Sequence, residues 1–329
     1  MDLILNTYGT TLTKDLDSFV VVHPDGKQRV HPKGVKCITI SKGAMITSDA
    51  AILAIENQID VLFVDTKGSP VGRVWSHRYG SVSTIRRNQL DFTFSCKAVD
   101  WVKAIQQEKI GNQQALLLAL TPTSSEMEAA VNGCVTKLED YRSKISLLEG
   151  EVVSDIAASL RGWEGVASRA YWKTIQLFMP ESMRYEARSQ HPAMDLFNCL
   201  LNYGYGVLYG KVEGALIKAG IDPYVGMFHR DDYNRPVLVY DVIERFRIWV
   251  DFVVISLATQ EAIPVEGYRI KEDGSVWLDA LGKRILIQSL NDYFDEVITV
   301  AGVARSRMIH LHRFCEQLAQ SFLQYNPER

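Results

Sequence analysis

Cysteine is scarce. There are five in 329 residues, Cys37, Cys96, Cys134, Cys199 and Cys315, odd in number and with no C-x-x-C pair. That pattern excludes a disulfide framework, speaks against a zinc site and suits a reducing cytoplasm. An excess of positive charge is missing too. Lys plus Arg is 36 and Asp plus Glu is 39, a formal net charge of −3, so the chain is not built to coat nucleic acid over its whole surface. A local basic face stays open, because exposed charges are screened beyond about 8 Å at physiological salt. Long apolar runs are also lacking. The stretch from Ile248 to Ala258 carries Asp251 and is too short to span a bilayer, so no membrane partner is expected. The N-terminal MDLILNTYGT has no basic segment followed by a long apolar one, and no signal peptide is expected.

Nucleotide-loop motifs fail on spacing. His229-Arg230-Asp231 echoes a kinase catalytic loop, but Pro236 stands where that loop needs an asparagine. Gly204, Gly206 and Gly210 have the wrong interval for a dinucleotide loop and lie in a helical pattern. No internal repeat is found.

What is present is a globular composition, 47% hydrophobic and 23% charged, long enough for two domains. Residues 1–90 read as β-rich. Strands are expected over Ser18–Val22, Gln28–Val30, Val35–Ile40, Ile59–Val64 and Gly72–Trp75, with turns at Asp25-Gly26 and 66–68. A short helix is expected over Ser48–Asn57, capped by Ser48. From about residue 97 to 329 helical patterns dominate: 98–107, 112–119, 124–148, 152–160, 163–178, 193–219, 241–259, 283–299 and 303–323, with one hairpin over 270–278. The expectation is an α+β chain: an N-terminal β-rich domain over 1–90 and a larger all-α domain over 97–329.

Two stretches carry chemistry. In Asp222–Arg247, His229 lies in a polar loop and Asp241 and Glu244 are spaced to share one helical face. In GWEGVASRAYW, Glu164 shares a face with Ala167, Ser168, Tyr171 and Ile175, so its carboxylate points toward protein and needs a partner. Each has an ordinary explanation. Acids in the first turn of a helix suit its dipole, a loop histidine needs no function, and Glu164 can be a helix-start acid. Taken alone, the ordinary explanation is the stronger. Together, one imidazole and two or three carboxylates suit Mg²⁺ or Mn²⁺. Arg245 and Arg247 follow the acids directly and are candidate DNA-phosphate contacts.

These passages, with SKGAMITSDAAILAIENQIDVLFVDTKGSPVGR, RRNQ at 86–89, KIGNQ at 109–113 and DLFNCLLNYGYGVLYG from Asp195, occur in an order that resembles the CRISPR-associated integrase/endonuclease of spacer acquisition, the first-numbered protein family of that system. The resemblance implies a β-sandwich-like N-terminal domain serving dimerisation and partner contacts, and a helical catalytic domain. It implies metal ligands at Glu164, His229 and Glu244, with Asp241 as a catalytic, supporting or alternate acid. It implies a homodimer in the prokaryotic cytoplasm, working with a small CRISPR-associated partner dimer of nuclease fold. The implied substrates are double-stranded DNA, a spacer precursor and a CRISPR repeat, joined by 3′-hydroxyl attack on phosphodiesters. Two other functions are weighed: a stand-alone structure-selective DNase using the same site with water, and a non-catalytic DNA-binding scaffold.

Overall fold

A computed structural model describes residues 2–24, 26–35, 37–57, 59–65, 70–74, 83–190, 192–229 and 235–326. The expectations at Asp25, 66–68, Trp75, Arg230 and Asp231 lie outside them. The contacts divide the chain into two units, Met1–Gly80 with Tyr209–Gly214, and Ser81–Leu208 with Ala215–Arg329.

The first unit holds two four-stranded sheets. One runs β1 (Asp2–Leu5), β5 (Cys37–Ser41), β7 (Asp60–Val64), β8 (Pro70–Arg73), with β1, β5 and β7 parallel and β8 antiparallel. The other runs β4 (Gly26–Val30), β3 (Ser18–His23), β2 (Thr11–Asp15), β6 (Met45–Ile46). Alternate residues of β5, Ile38 and Ile40, are buried, as the period-2 geometry of a strand requires. They join Leu3, Leu5 and Val61 of their own sheet, and Leu12, Phe19 and Val30 of the other, in one core. This is the expected sandwich-like arrangement, with helix α1 (Ser48–Glu56) as the crossover that parallel β5 and β7 need. The cap of α1 is not Ser48. Thr47 has extended backbone, and its hydroxyl accepts from Ala50 N, placing the helix start one residue earlier than the capping motif suggested.

The second unit is helical: α2 (Ser83–Phe92), α3 (Cys96–Ala119), α4 (Ser125–Ser146), α5 (Val153–Gln176), α6 (Leu196–Lys218), α7 (Val237–Thr259), α8 (Ala280–Asp295) and α9 (Arg307–Gln324). The sequence placed the domain change near 90–97, whereas α2 clusters with the helical unit. Two expected helix pairs are single helices. Gly111 does not break α3, nor do Gly162 and Gly165 break α5. A helical glycine costs about 1 kcal/mol relative to alanine, less than the burial of Ile105, Ile110, Ile156 and Leu160 on the same helices can return. Glu164 is therefore a mid-helix residue and not a helix-start acid.

The unit also carries two hairpins, β9 (Tyr268–Ile270) with β10 (Val276–Leu278), as expected, and β11 (Val297–Val300) with β12 (Val303–Ser306), where the sequence suggested the end of one helix at 299 and the start of the next at 303. The β-branched run Val297-Ile298-Thr299-Val300 favours strand. Ala301 and Gly302 close it with φ of 48° and 77°, both in the left-handed region that two-residue hairpin turns use. Helix α7 is the axis of the unit, with Val242, Val250 and Val254 fully buried. Gly204 on α6 lets it approach, since a Cβ there would stand 2.6 Å from Val250 Cγ1. Among the described residues no helix is long and apolar enough to cross a membrane.

Candidate active site

Helix α7 starts at Val237, after Pro236, a residue whose fixed φ suits a helix entry. That is one turn earlier than the sequence suggested. Asp241 and Glu244 consequently lie in the second turn, past the first-turn position where acids serve the dipole, and both are buried, 3% and 5% exposed. Each has found a different partner.

Asp241 faces the loop that carries His229. Its Oδ2 accepts from Met227 N at 2.7 Å and Phe228 N at 3.1 Å. Its Oδ1 accepts from His229 N at 3.1 Å and lies 2.7 Å from His229 Nδ1. Four polar groups of this one loop therefore take the four acceptor positions of the carboxylate. A proton on Nδ1 donated to Asp241 leaves the Nε2 lone pair for another partner, the usual arrangement behind a ligating histidine. Burial pushes the His229 pKa down, but Asp241, then Glu244 and Glu164, outweigh it, and the imidazole titrates above its ordinary 6.5.

Glu244 meets Glu164 through a lysine. Lys109 of α3, 8% exposed, places Nζ 2.5 Å from Glu164 Oε1 and 2.6 Å from Glu244 Oε2. Glu244 Oε1 accepts from Arg247 Nε at 2.7 Å. Glu244 Oε2 is sealed from solvent, with the Lys109 ammonium as its partner. Burial alone would raise the Glu244 pKa. Arg247 and Lys109 override it and hold the carboxyl well below the usual range. Helices α3, α5 and α7 thus deliver one cation and two anions to one point. Asn112 Nδ2, one turn along α3 from Lys109, ties α3 to α7 by donating to Arg245 O at 3.1 Å.

A cavity of about 540 Å³ opens here, lined by Glu164, Glu244, Lys109 and Arg247, and by the further cations Arg169, Lys173 and Arg188. Its wall includes Asp251, 2% exposed, which accepts from Tyr171 Oη at 3.1 Å and Tyr205 Oη at 2.5 Å. Burial lifts the Asp251 carboxyl to about 6 against the pull of those hydroxyls and of Arg247 and Arg188. The Arg247 guanidinium lies over the Tyr205 ring, 4.7 Å from its centre. Arg188 bonds Asn198 and, at 3.0 Å, Asn202 on α6.

The structure therefore brings Glu164 and Glu244 together, sets His229 within reach of both charges, and assigns Asp241 to the histidine loop. The two arginines diverge. Arg247 holds Glu244, whereas Arg245 pairs with Glu108 Oε2 at 2.7 Å and stacks over Phe314 at 4.6 Å. Among the described residues no three histidine, cysteine or acidic side chains stand at metal-cage spacing; Lys109 Nζ fills the gap between the two glutamates.

Several participants carried no chemical signal in the sequence. Fully buried Gln89 of α2 donates to Asp222 O at 2.7 Å and Val225 O at 2.9 Å and accepts from Asp222 N at 3.0 Å, pinning the loop ahead of His229. Gly226 makes that loop possible, since a Cβ would lie 2.6 Å from His229 O and 2.8 Å from Val237 Cγ2. Lys109 and Gln89 fall within KIGNQ and RRNQ, quoted above only for their resemblance.

The model of the family described as CRISPR associated protein Cas1 matches residues 3–292. The chain is 31% identical to the CRISPR-associated endonuclease Cas1 1 of Archaeoglobus fulgidus, over 95% of this chain and 94% of that one. It is 32% identical to the protein of the same name from Pyrobaculum aerophilum, over 78% and 82%. Among solved structures it resembles a Cas1 protein from Thermotoga maritima, with a TM-score of 0.80 at 18% identity, covering 99% of this chain and 98% of that one. It also resembles a casposase bound to integration product, with a TM-score of 0.67 at 20% identity, covering 100% and 97%. A chain of a Cas6-RT-Cas1–Cas2 complex matches 98% of this chain with a TM-score of 0.80 at 22% identity, and this chain spans only 35% of that longer one. At such identities the three structures share a fold with it.

Proposed function

The chain belongs to the CRISPR-associated Cas1 family, and from that premise we propose that it is a metal-dependent DNA integrase and endonuclease that inserts short duplexes into a CRISPR array. The observation that carries this reading is the convergence of Glu164 and Glu244 on a single cation position, together with a His229 imidazole that Asp241 orients and whose proton the charges of both glutamates help to hold. Relatives named endonucleases and a casposase holding an integration product support it.

The donor chemistry suits Mg²⁺ or Mn²⁺, two carboxylates and an imidazole with Nδ1 tied back, and the point where the carboxylates converge is a cation position, held in this structure by the Lys109 ammonium. Glu164, His229 and Glu244 would hold the ion. Asp241 is spent on the histidine loop, so Glu244 is the third ligand and Asp241 a positioning residue. When bound, the ion would polarise the phosphodiester and stabilise charge on the oxygens being exchanged. The protein does the rest. Arg247 keeps Glu244 in place, the cations lining the cavity neutralise a phosphate, and helices α3, α5 and α7 hold the groups on rigid elements. The 3′-hydroxyl of the incoming strand attacks the repeat phosphodiester; one P–O bond forms, one breaks, and the proton passes from the attacking to the leaving oxygen. No ATP is required. The partners are double-stranded DNA, a second copy of the chain and, from the complex that contains both proteins, a Cas2 dimer; the setting is a prokaryotic cytoplasm.

The test is strand transfer on a labelled duplex and a repeat-bearing target with Mn²⁺. Wild type yields chimeric strands longer than either substrate, and Glu164→Ala and His229→Ala yield none while remaining folded. Wild-type-like transfer by either variant overturns the assignment. Shortened strands alone would mark a hydrolytic DNase, and chelator-insensitive DNA binding without product would mark a scaffold.

A further inference from the structure

Lys109 stands where a divalent ion would have to stand. Its ammonium is within 2.6 Å of oxygens from two glutamates on different helices, and its side chain is 10% exposed. Two buried carboxylates facing one point repel each other and cannot be left bare. A metal site that must persist without metal needs a substitute charge, and a lysine suits that part. It has a compact charge on a flexible four-carbon stem that can leave without breaking the helix that carries it. An arginine would not serve as well, since its planar fork locks two carboxylate oxygens at once. Lys109 also lines the cavity with Arg169 and Lys173, so an ammonium leaving the carboxylates enters a space built of phosphate-binding groups.

We propose that Lys109 is a tethered stand-in cation that competes with the divalent ion for Glu164 and Glu244 and moves into the cavity when the ion binds. The inference rests on the metal-site reading above and adds an occupant to it, so metal affinity is set as much by expelling Lys109 as by the ligands themselves.

The test follows Mn²⁺ binding by titration calorimetry in wild type, Lys109→Met, Lys109→Gln and Glu164→Ala, with folding checked by circular dichroism. Removing the competitor should tighten Mn²⁺ binding about tenfold, equivalent to about 1.4 kcal/mol. It should also lower the melting temperature of the metal-free variants. Lys109→Gln retains the hydrogen-bonding reach and reads the same affinity if the Met variant does not fold without metal. A second measurement uses the unaltered protein. Reductive methylation read by mass spectrometry should leave Lys109 protected without Mn²⁺ and reactive with it, while the exposed Lys144 reacts in both states. Unchanged or weaker Mn²⁺ binding in the lysine variants, or a Lys109 equally protected in both states, beside a wild-type site that Glu164→Ala abolishes, overturns this inference alone. Absence of Mn²⁺ binding in wild type and variants alike overturns the metal-site reading and this inference with it.

Discussion

Asp241 Oδ1 and His229 Nδ1 are 2.7 Å apart, and the same carboxylate gathers the backbone N–H groups of residues 227, 228 and 229. One side chain thus sets both the path of the loop and the tautomer of the imidazole at its end. A carboxylate can satisfy four donors, but an amide cannot. In Asp241→Asn the new NH₂ must face two of them, and hydrogen bonds to a charged acceptor contribute about 1.5–3 kcal/mol each. The substitution should cost about 3 kcal/mol in urea unfolding and reduce strand transfer about ten- to a hundredfold, the scale seen when a group behind a ligating histidine is lost. Wild-type stability in the variant would show that the loop holds its shape without the charge.

Gly226 offers a narrower probe of the same loop. Its Cβ position is 2.6 Å from His229 O and 2.8 Å from Val237 Cγ2. The first neighbour is backbone and must move. Gly226→Ala should cost about 1–3 kcal/mol, the range for overpacking, and should lower strand transfer because the displaced residue is His229 itself. An active variant with an unchanged melting temperature would mean that the loop relaxes without carrying the histidine away.

How much of this was legible depends on the range of the contact. The alternation of Ile38 and Ile40 showed a strand in the sequence because burial there follows local period. Glu164, His229 and Glu244 were found through family resemblance, since from spacing alone an acid or a loop histidine has an ordinary explanation. Lys109 meets Glu164 across 55 positions and Gln89 meets Asp222 across 133. A lysine or a glutamine in a helical pattern announces no such partner. The early start of α7 was hidden because Val237–Tyr240 is apolar and shows no polar cap, so the first acid looked like the first turn. The hairpin β11–β12 is hidden because the helical pattern of α8 extends forward to 299 and that of α9 back to 303, leaving only the Ala-Gly turn between them as a break.

Asp251 gives a pH prediction. Its folded carboxyl is raised from the ordinary 3.8 to about 6 by burial, so the folded chain holds that proton more tightly than the unfolded one. The resulting stability is fully present below pH 3.8 and is lost as pH rises through about 6, a change of roughly 3 kcal/mol. Asp251→Asn stays neutral and can exchange hydrogen bonds with the rotatable hydroxyls of Tyr171 and Tyr205. Its unfolding free energy relative to wild type should therefore improve steadily from pH 4 to 7. Parallel stability curves for the two proteins over that range would show that Asp251 ionises in the fold as easily as in water.

Arg247 and Arg245 are two residues apart and should respond differently. Arg247 donates Nε to Glu244 Oε1 at 2.7 Å while its guanidinium rests 4.7 Å from the centre of the Tyr205 ring. Lysine keeps the charge but has neither the planar donor fork nor the flat face that stacks on tyrosine. Arg247→Lys should loosen Glu244, leaving Lys109 as its remaining close partner, and lower strand transfer about tenfold or more, with a loss of only about 1 kcal/mol in stability for a pair that is 28% exposed on the arginine side. Arg245→Lys disturbs a pair with Glu108, whose side chains are 32% and 40% exposed, and should change transfer by less than about threefold, as partly exposed ion pairs contribute little. Measuring both variants on the same duplex separates a role in holding the glutamate from a general role of basic residues near DNA. Equal losses would favour the second.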